Sequence, residues 1–347
     1  MDPVTQGLVG ALCAQAGGRR RHMKQAAVVG LVAGMAPDLD VLIRSSSDSL
    51  LAIEYHRHFT HALAFVPVGA LLVALLLWPF VQWYGRWRDQ AVPLFARVYL
   101  WSLLGFASHG LLDAMTSYGT HLLWPFSHER IAWNVISVID PLFTMPLILL
   151  LGLALWRNSR LLAGTAALWA VFYLGWGAVQ QHRAEHIVAH WAEASGIMAE
   201  RVVAKPAFAN LVLWRGLVDD GELLHSVAVR IVPTRQSIVW PGSSVQRVDP
   251  SEFEPRTRLR SDLERFAHFS DGWTFRYFPY EGDRDQQRSW FIGDFRYAID
   301  PASQRPLWGI RFNPDRPDQP VAFERPARVT EAERAAFFGR LRGDWVD

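Results

Sequence analysis

Four times in its first 121 residues the sequence sets histidine or aspartate into a compact polar cluster. These are Pro-Asp-Leu-Asp (Asp38, Asp40), His-Arg-His-Phe-Thr-His (His56, His58, His61), His-Gly-Leu-Leu-Asp (His109, Asp113) and Thr-Ser-Tyr-Gly-Thr-His (Thr116 to His121). His109 and Asp113 are four apart, so a helix puts them on one face. They lie inside an apolar run, where ionisable side chains are costly and face a partner, a cavity or an ion. A lone buried histidine is usually a satisfied structural residue; recurrence over four clusters points instead to metal. Imidazole and carboxylate without thiolate suit zinc, manganese and iron alike. Five histidines and three aspartates in the clusters leave room for more than one ion. A bound divalent ion brings the pKa of a water near neutrality and so generates a hydroxide nucleophile. The chain has no G-x-S-x-G elbow, P-loop or H-E-x-x-H. Metal-activated water is the chemistry these residues best support.

The elements that must hold these groups are apolar. Half of the 347 residues are hydrophobic, and the long apolar runs fall in the first 180 positions. Four runs approach the roughly 20 residues a bilayer requires: 62–80, 98–115, 138–156 and 161–179. A fifth, 26–43, has an uninterrupted apolar part of about eleven residues, nearer to a half-helix. The opening 18 residues lack the positive n-region of a signal peptide, and read as a short helix ended by Gly17-Gly18. The expected fold is mainly α: a polytopic membrane helical bundle of about four to five transmembrane helices over 1–180, then a small soluble α+β domain over 200–347.

In that second part, 211–232 reads as two strands around an Asp-Gly turn, with further short strands near 289–301 and 307–317. His182, His186 and His190 share a helix face at i, i+4 and i+8, a stripe that fits either metal binding or solvent exposure. No ligand motif lies beyond residue 200, so this part is expected to be dispensable for metal binding. The net charge of +2 is too small to make nucleic acid the main partner, and the single Cys13 excludes a cysteine zinc cage.

Taken in order, "MDPVTQGLVGA", "GMAPDLD", "HRHFTHA", "HGLLDAMTSYGTHLLWPFS" and "IAWNVISVIDPLFT" resemble the YdjM-like (DUF457) family of bacterial membrane-bound, metal-dependent hydrolases, over about residues 1–156. The resemblance implies Asp38, Asp40, His56, His61, His109 and Asp113 as metal ligands, with His121 as a further candidate. His58 falls where the family motif varies and is left out. Asp40 and Arg57 are assigned catalytic roles, Arg57 through a guanidinium fork that could orient a phosphate or pair with a carboxylate. Asp140 matches a family motif, but its following proline equally fits a helix N-cap. The family is distantly similar to zinc-dependent phospholipase C and P1-type nucleases, which implies zinc as the ion and a phosphoester, from a lipid or a small molecule, as the substrate. The expected location is the bacterial inner membrane, multi-pass and in contact with its lipids.

If 26–43 spans, Arg19, Arg20, Arg21, Lys24, Arg86, Arg88, Arg97, Arg157 and Arg160 share one side, which the positive-inside rule makes cytoplasmic. The ligand clusters and the C-terminal part then face outward. A metal or proton transporter, or a regulatory scaffold with a structural metal, would draw on the same intramembrane residues.

Overall fold

The computed structural model describes all residues except 19, 89–90, 234, 279–288, 327–328 and 345–347, so Arg19 lies outside the described residues. The chain divides into two compact units. One comprises residues 1–42 and 55–178; the other comprises 43–54 and 179–347.

The first unit is helical. α1 (Pro3–Ala16) starts at Asp2, whose carboxylate accepts the Thr5 amide at 3.0 Å, and stops at Gly17. α2 (Met23–Met35) runs into a 3-10 segment, Ala36–Leu42. After the excursion into the other unit, the 3-10 turns Phe59–His61 and Leu63–Phe65 lead into α4 (Val66–Trp87); α3 (Leu51–Tyr55) belongs almost wholly to the excursion. α5 (Phe95–Ala114), α6 (Pro141–Arg157) and α7 (Arg160–Ala194) follow. Asp140 is the N-cap of α6: its side chain accepts the Leu142 and Phe143 amides at 3.1 and 3.4 Å and the Tyr173 hydroxyl at 2.8 Å.

Small residues let α1, α2 and α5 pack backbone to backbone. A Cβ on Gly10 would run into the Gly30 carbonyl, one on Gly34 would lie 2.6 Å from the Gln6 carbonyl, and one on Gly105 would lie 2.6 Å from the Gly30 carbonyl. Small residues at such contacts let helix backbones approach closely, which is how helices gain packing contacts where lipid supplies no hydrophobic drive.

Among the described residues, three helical stretches are long and apolar enough to cross a membrane: Arg20–Leu42, Leu63–Trp87 and Arg160–Ala194. Four to five were expected. The 98–115 run became α5, which carries Ser102, Ser108, His109 and Asp113 and buries Val98, Trp101 and Phe106. The 138–156 run became α6, of only 17 residues. The short 26–43 run, by contrast, falls in one of the three, because α2 and its 3-10 extension stack end to end.

Among the described residues, the second unit holds two four-stranded antiparallel meanders. The first is β1 (Arg201–Pro206), β2 (Leu213–Asp219), β3 (Leu223–Arg230) and β4 (Ile238–Gln246). β2 and β3 turn at Asp220-Gly221, where Gly221 takes φ +95°, and pair from Asp219↔Leu224 to Leu213↔Arg230. The second is β5 (Thr274–Tyr277), β6 (Trp290–Asp294), β7 (Gly309–Phe312) and β8 (Ala322–Glu324). Its strands run three to five residues, too short for a clear alternation in sequence. Leu217, Leu224, Trp273, Phe275 and Phe295 form a shared core. α8 (Arg258–Phe269) and α9 (Glu331–Arg342) complete the unit.

Candidate metal centre

The last turns of α5 carry His109 and Asp113, both fully buried. Between them, Gly110 leaves room for a neighbour: a Cβ there would run into the His61 carbonyl. That gap seats the Phe59–His61 turn against α5. The Ala36–Leu42 segment contributes Asp38 and Asp40 at the end of α2.

Four ligand atoms converge as a result. His61 Nε2 and His109 Nε2 lie 2.8 Å apart. Asp38 Oδ1 is 3.5 Å from the first and 3.4 Å from the second. Asp113 Oδ2 is 3.3 and 3.7 Å from the same two nitrogens. Ligands about 2.0–2.2 Å from a tetrahedral ion stand about 3.3–3.5 Å apart, so the cluster has the right size. Two carboxylates and two neutral imidazoles also match a dication in charge. The donor set fits zinc, and it fits other divalent ions that accept nitrogen and oxygen.

Both rings are oriented from behind. His109 Nδ1 meets the Gly34 carbonyl at 2.5 Å, and His61 Nδ1 faces Asp40 Oδ2 at 3.2 Å and Thr60 Oγ1 at 3.0 Å. Each contact engages Nδ1 and leaves Nε2 for an ion, the carboxylate–histidine arrangement by which proteins fix ring tautomer and basicity. Burial pushes the His61 imidazole down, but Asp113, Asp38 and Asp40 outweigh it and lift it to about 10. The ring takes up a proton where the carboxylates call for positive charge.

Asp40 faces a second set. His56 Nδ1 lies 2.9 Å from Asp40 Oδ1, while the Arg57 amide and Thr60 Oγ1 donate to Asp40 Oδ2 at 2.8 and 3.0 Å. Asp38, Asp40 and His56 thus form another potential ligand group, and Asp38 belongs to both. Arg57 sits at φ +63°, its amide held by Asp40 and its carbonyl by the His121 amide at 3.0 Å. Its buried guanidinium pairs through Nε with Asp113 Oδ2 at 3.0 Å and donates from Nη1 to Thr116 Oγ1 at 2.8 Å. Of the two roles open to it in sequence, the structure contains the carboxylate pair.

Asp38, His61, His109 and Asp113 therefore meet around one point, and His56 and Asp40 meet Asp38 beside it. His121 belongs to neither group: its ring lies 4.7 Å from that of His58 and 3.4 Å from Arg130 Nη1. His182 and His186 lie exposed on α7 with Nε2 atoms 3.0 Å apart, also outside both groups. Sequence reading missed Gln6, whose Nε2 donates to Asp113 Oδ1 at 2.7 Å, and the Met1 amine, which pairs with the same oxygen. It also missed Arg130, whose guanidinium lies 5.4 Å over the Tyr118 ring, itself 5.5 Å from His56. Its place between Trp124, Phe126 and Trp133 was the available signal.

Parts of the chain are similar to known proteins. A 120-residue stretch is 30% identical to the uncharacterized protein YfhP of Bacillus subtilis, covering 34% of each chain. Another of 113 residues is 34% identical to the inner membrane protein YbcI of Escherichia coli, covering 31% of this chain and 60% of that one. The chain thus spans between about a third and three fifths of these relatives. No solved structure matches. Residues 1–184, which carry every ligand described above, match the family described as YdjM inner membrane protein, and the chain belongs to that family.

Proposed function

We propose that this protein is a membrane-bound, metal-dependent hydrolase acting on a phosphoester, from a membrane lipid or a small molecule, with zinc as its ion. The convergence of Asp38, His61, His109 and Asp113, with both rings oriented from behind, carries this reading. A divalent ion held there would supply a hydroxide at neutral pH and a positive charge to face the phosphoryl oxygens. The chain's own groups do the rest. Asp40 keeps the Nδ1 edges of His61 and His56 in place. His56, a quarter exposed, is the ring that can pass a proton between the site and solvent through Nε2. Arg57 balances Asp113 and holds it in place, so the anionic group of a substrate falls to Arg130, beside His121 and Tyr118.

We place the protein in the inner membrane, multi-pass, with the site and the C-terminal unit facing outward. Support comes from the hairpin of α4 and α5: His61 precedes the first and His109 lies near the end of the second, so α5 returns across whatever thickness α4 crosses. Arg160 donates to the Gly18 carbonyl, which brings the start of α7 against the turn that follows α1 and precedes Arg20 and Arg21. Ligands gathered at helix ends favour hydrolysis over transport, which needs a path through the bilayer.

The test is metal analysis of protein purified in detergent, followed by a panel of lipid and soluble phosphoesters. Bound zinc and a hydrolysis rate that Asp113→Asn abolishes are expected. Zinc uptake into liposomes that is lost in His109→Ala, without hydrolysis of any substrate, would overturn the reading in favour of transport.

A further inference from the structure

Along the later part of α7 every fourth residue is buried: Gln180, Ala184, Val188 and Ala192. Gln180 Nε2 donates to the Leu211 and Ile231 carbonyls at 3.1 and 3.4 Å. Val188 seats over Gly216 of β2, where a Cβ would run into it. These residues all belong to the second unit, so packing inside that unit sets the rotation of this stretch of helix. His182, His186 and His190 each follow a buried position by two residues, which at about 100° per residue puts them on the opposite face. All three are exposed. We propose that His182 and His186 form a separate, solvent-facing metal site, which takes copper(II) or a similar tetragonal dication through the two Nε2 atoms. The proposal does not rest on the metal reading above, since neither ring belongs to that centre.

The two Nε2 atoms lie 3.0 Å apart, with the ring planes at 86° to each other. Nitrogens about 2.0–2.1 Å from one ion stand about 2.9 Å apart at a right angle and about 3.3 Å apart at the tetrahedral angle. The observed spacing is nearer the right angle, which is the geometry of copper(II) and nickel(II) rather than of zinc. Copper(II) also heads the affinity order of the divalent ions that imidazole accepts. A ring-to-ring hydrogen bond alone would gain little on an exposed face, where water serves both nitrogens. The neighbouring cation is turned away, because Arg183 donates to Gln180 Oε1 at 2.8 Å. Glu185, between the two histidines, brings a carboxylate close enough to interact with both rings.

Two donors on adjacent turns of a rigid helix act as a chelate. Once one ring holds the ion, the second meets it at a high effective concentration, a gain of about 100-fold or more in affinity. The other positions stay open to water or a further donor, so this site takes up and releases its ion, unlike a closed structural one. His186 turns Nε2 back toward His182, and so away from the next turn, which carries His190. The stripe of three in sequence is a pair in the fold.

The experiment titrates copper(II) into full-length, tag-free protein in detergent. Bound copper is measured by equilibrium dialysis, and the imidazoles on it are counted from the nitrogen splittings of its electron paramagnetic resonance. Wild type should bind one copper through two imidazole nitrogens that His182→Ala and His186→Ala each weaken by about 100-fold. Nickel(II) should compete for this copper, and magnesium, which takes oxygen ligands, should not. His190→Ala should bind as wild type does. The three rings are exposed, so all three variants should unfold at the wild-type temperature. Copper binding that survives unchanged in either His182→Ala or His186→Ala overturns the proposal. An equal loss in His190→Ala overturns it too, since the ion would then not be held by this pair.

Discussion

His58 and His61 stand three residues apart in one hexapeptide, and the structure gives them different work. His61 Nε2 points at Asp38, Asp113 and His109, whereas the His58 ring packs against His121 and Trp124. Replacing His61 with alanine removes a ligand and leaves the carboxylates unbalanced; we expect loss of bound zinc, measured per protein after gel filtration. His58→Ala should keep its zinc. Asp40→Asn makes a finer test. Its side chain touches His61 and His56 from behind, so we expect the ion to stay but its affinity to fall about 10- to 100-fold, read by competition with a chelator. The charged members of this site were legible because histidine and aspartate are conspicuous inside apolar runs. Gln6, Thr60 and the Gly34 carbonyl were not, since each acquires its role only when two helices or a helix and a turn come together.

What brings them together is a set of glycines. Gly30 and Gly34 form a G-x-x-x-G spacing in α2, a pattern that marks close helix packing and was present in the sequence to be read. Its meaning for the site came only with its partners, Gly10 of α1 and Gly105 of α5. If α2 could not approach α5, His109 Nδ1 would lose the Gly34 carbonyl at 2.5 Å that sets its tautomer. Gly30→Ala would press a methyl into the Gly10 carbonyl, and we expect a cost of about 1–3 kcal/mol as the helices separate. Gly110→Ala should do the same between α5 and the His61 turn, and lose zinc as well. Gly164 of α7 is the control: a Cβ there meets nothing within 4 Å, so Gly164→Ala should be neutral or stabilise by up to about 1 kcal/mol. Thermal unfolding in detergent, with zinc content measured alongside, separates the three. The same elements show why spans were harder to count than helices. α5 follows its apolar run closely, yet its polar residues leave it outside the three stretches that qualify by length and composition among the described residues.

At the scale of the whole molecule, the sequence marks a change of character near residue 180 but gives no sign that 43–54 folds with the later residues. Composition reads along the chain, whereas that excursion is defined by contacts more than 200 residues apart, such as Arg265 with Glu54. The β2–β3 hairpin was legible from its Asp-Gly turn; the polar interior of the C-terminal unit was not. There Lys205, one of only two lysines in the chain, lies buried in β1 with its ammonium 5.3 Å from the Tyr297 ring. Burial, with Arg296 adding to it against the opposing pull of Asp294, brings the amine down to about 7. The unfolded chain would keep this group near its ordinary value of about 10.4. Between about pH 7 and 10.4 the unfolded state therefore binds the extra proton, and stability rises with pH across that window. Below about pH 7 both states are protonated and the burial penalty is present in full. Lys205→Met, which keeps the stem and removes the charge, should stabilise this unit most at pH 7 and below, and least near pH 10. At about 1.4 kcal/mol per pKa unit, the difference across the window amounts to a few kcal/mol. Amide hydrogen exchange of β1 and β2, corrected for the intrinsic pH dependence, reports on this unit alone. A wild-type opening free energy that stays flat from pH 7 to 9.5, or a Lys205→Met protein that keeps the wild-type slope, would show that Lys205 does not titrate in this range.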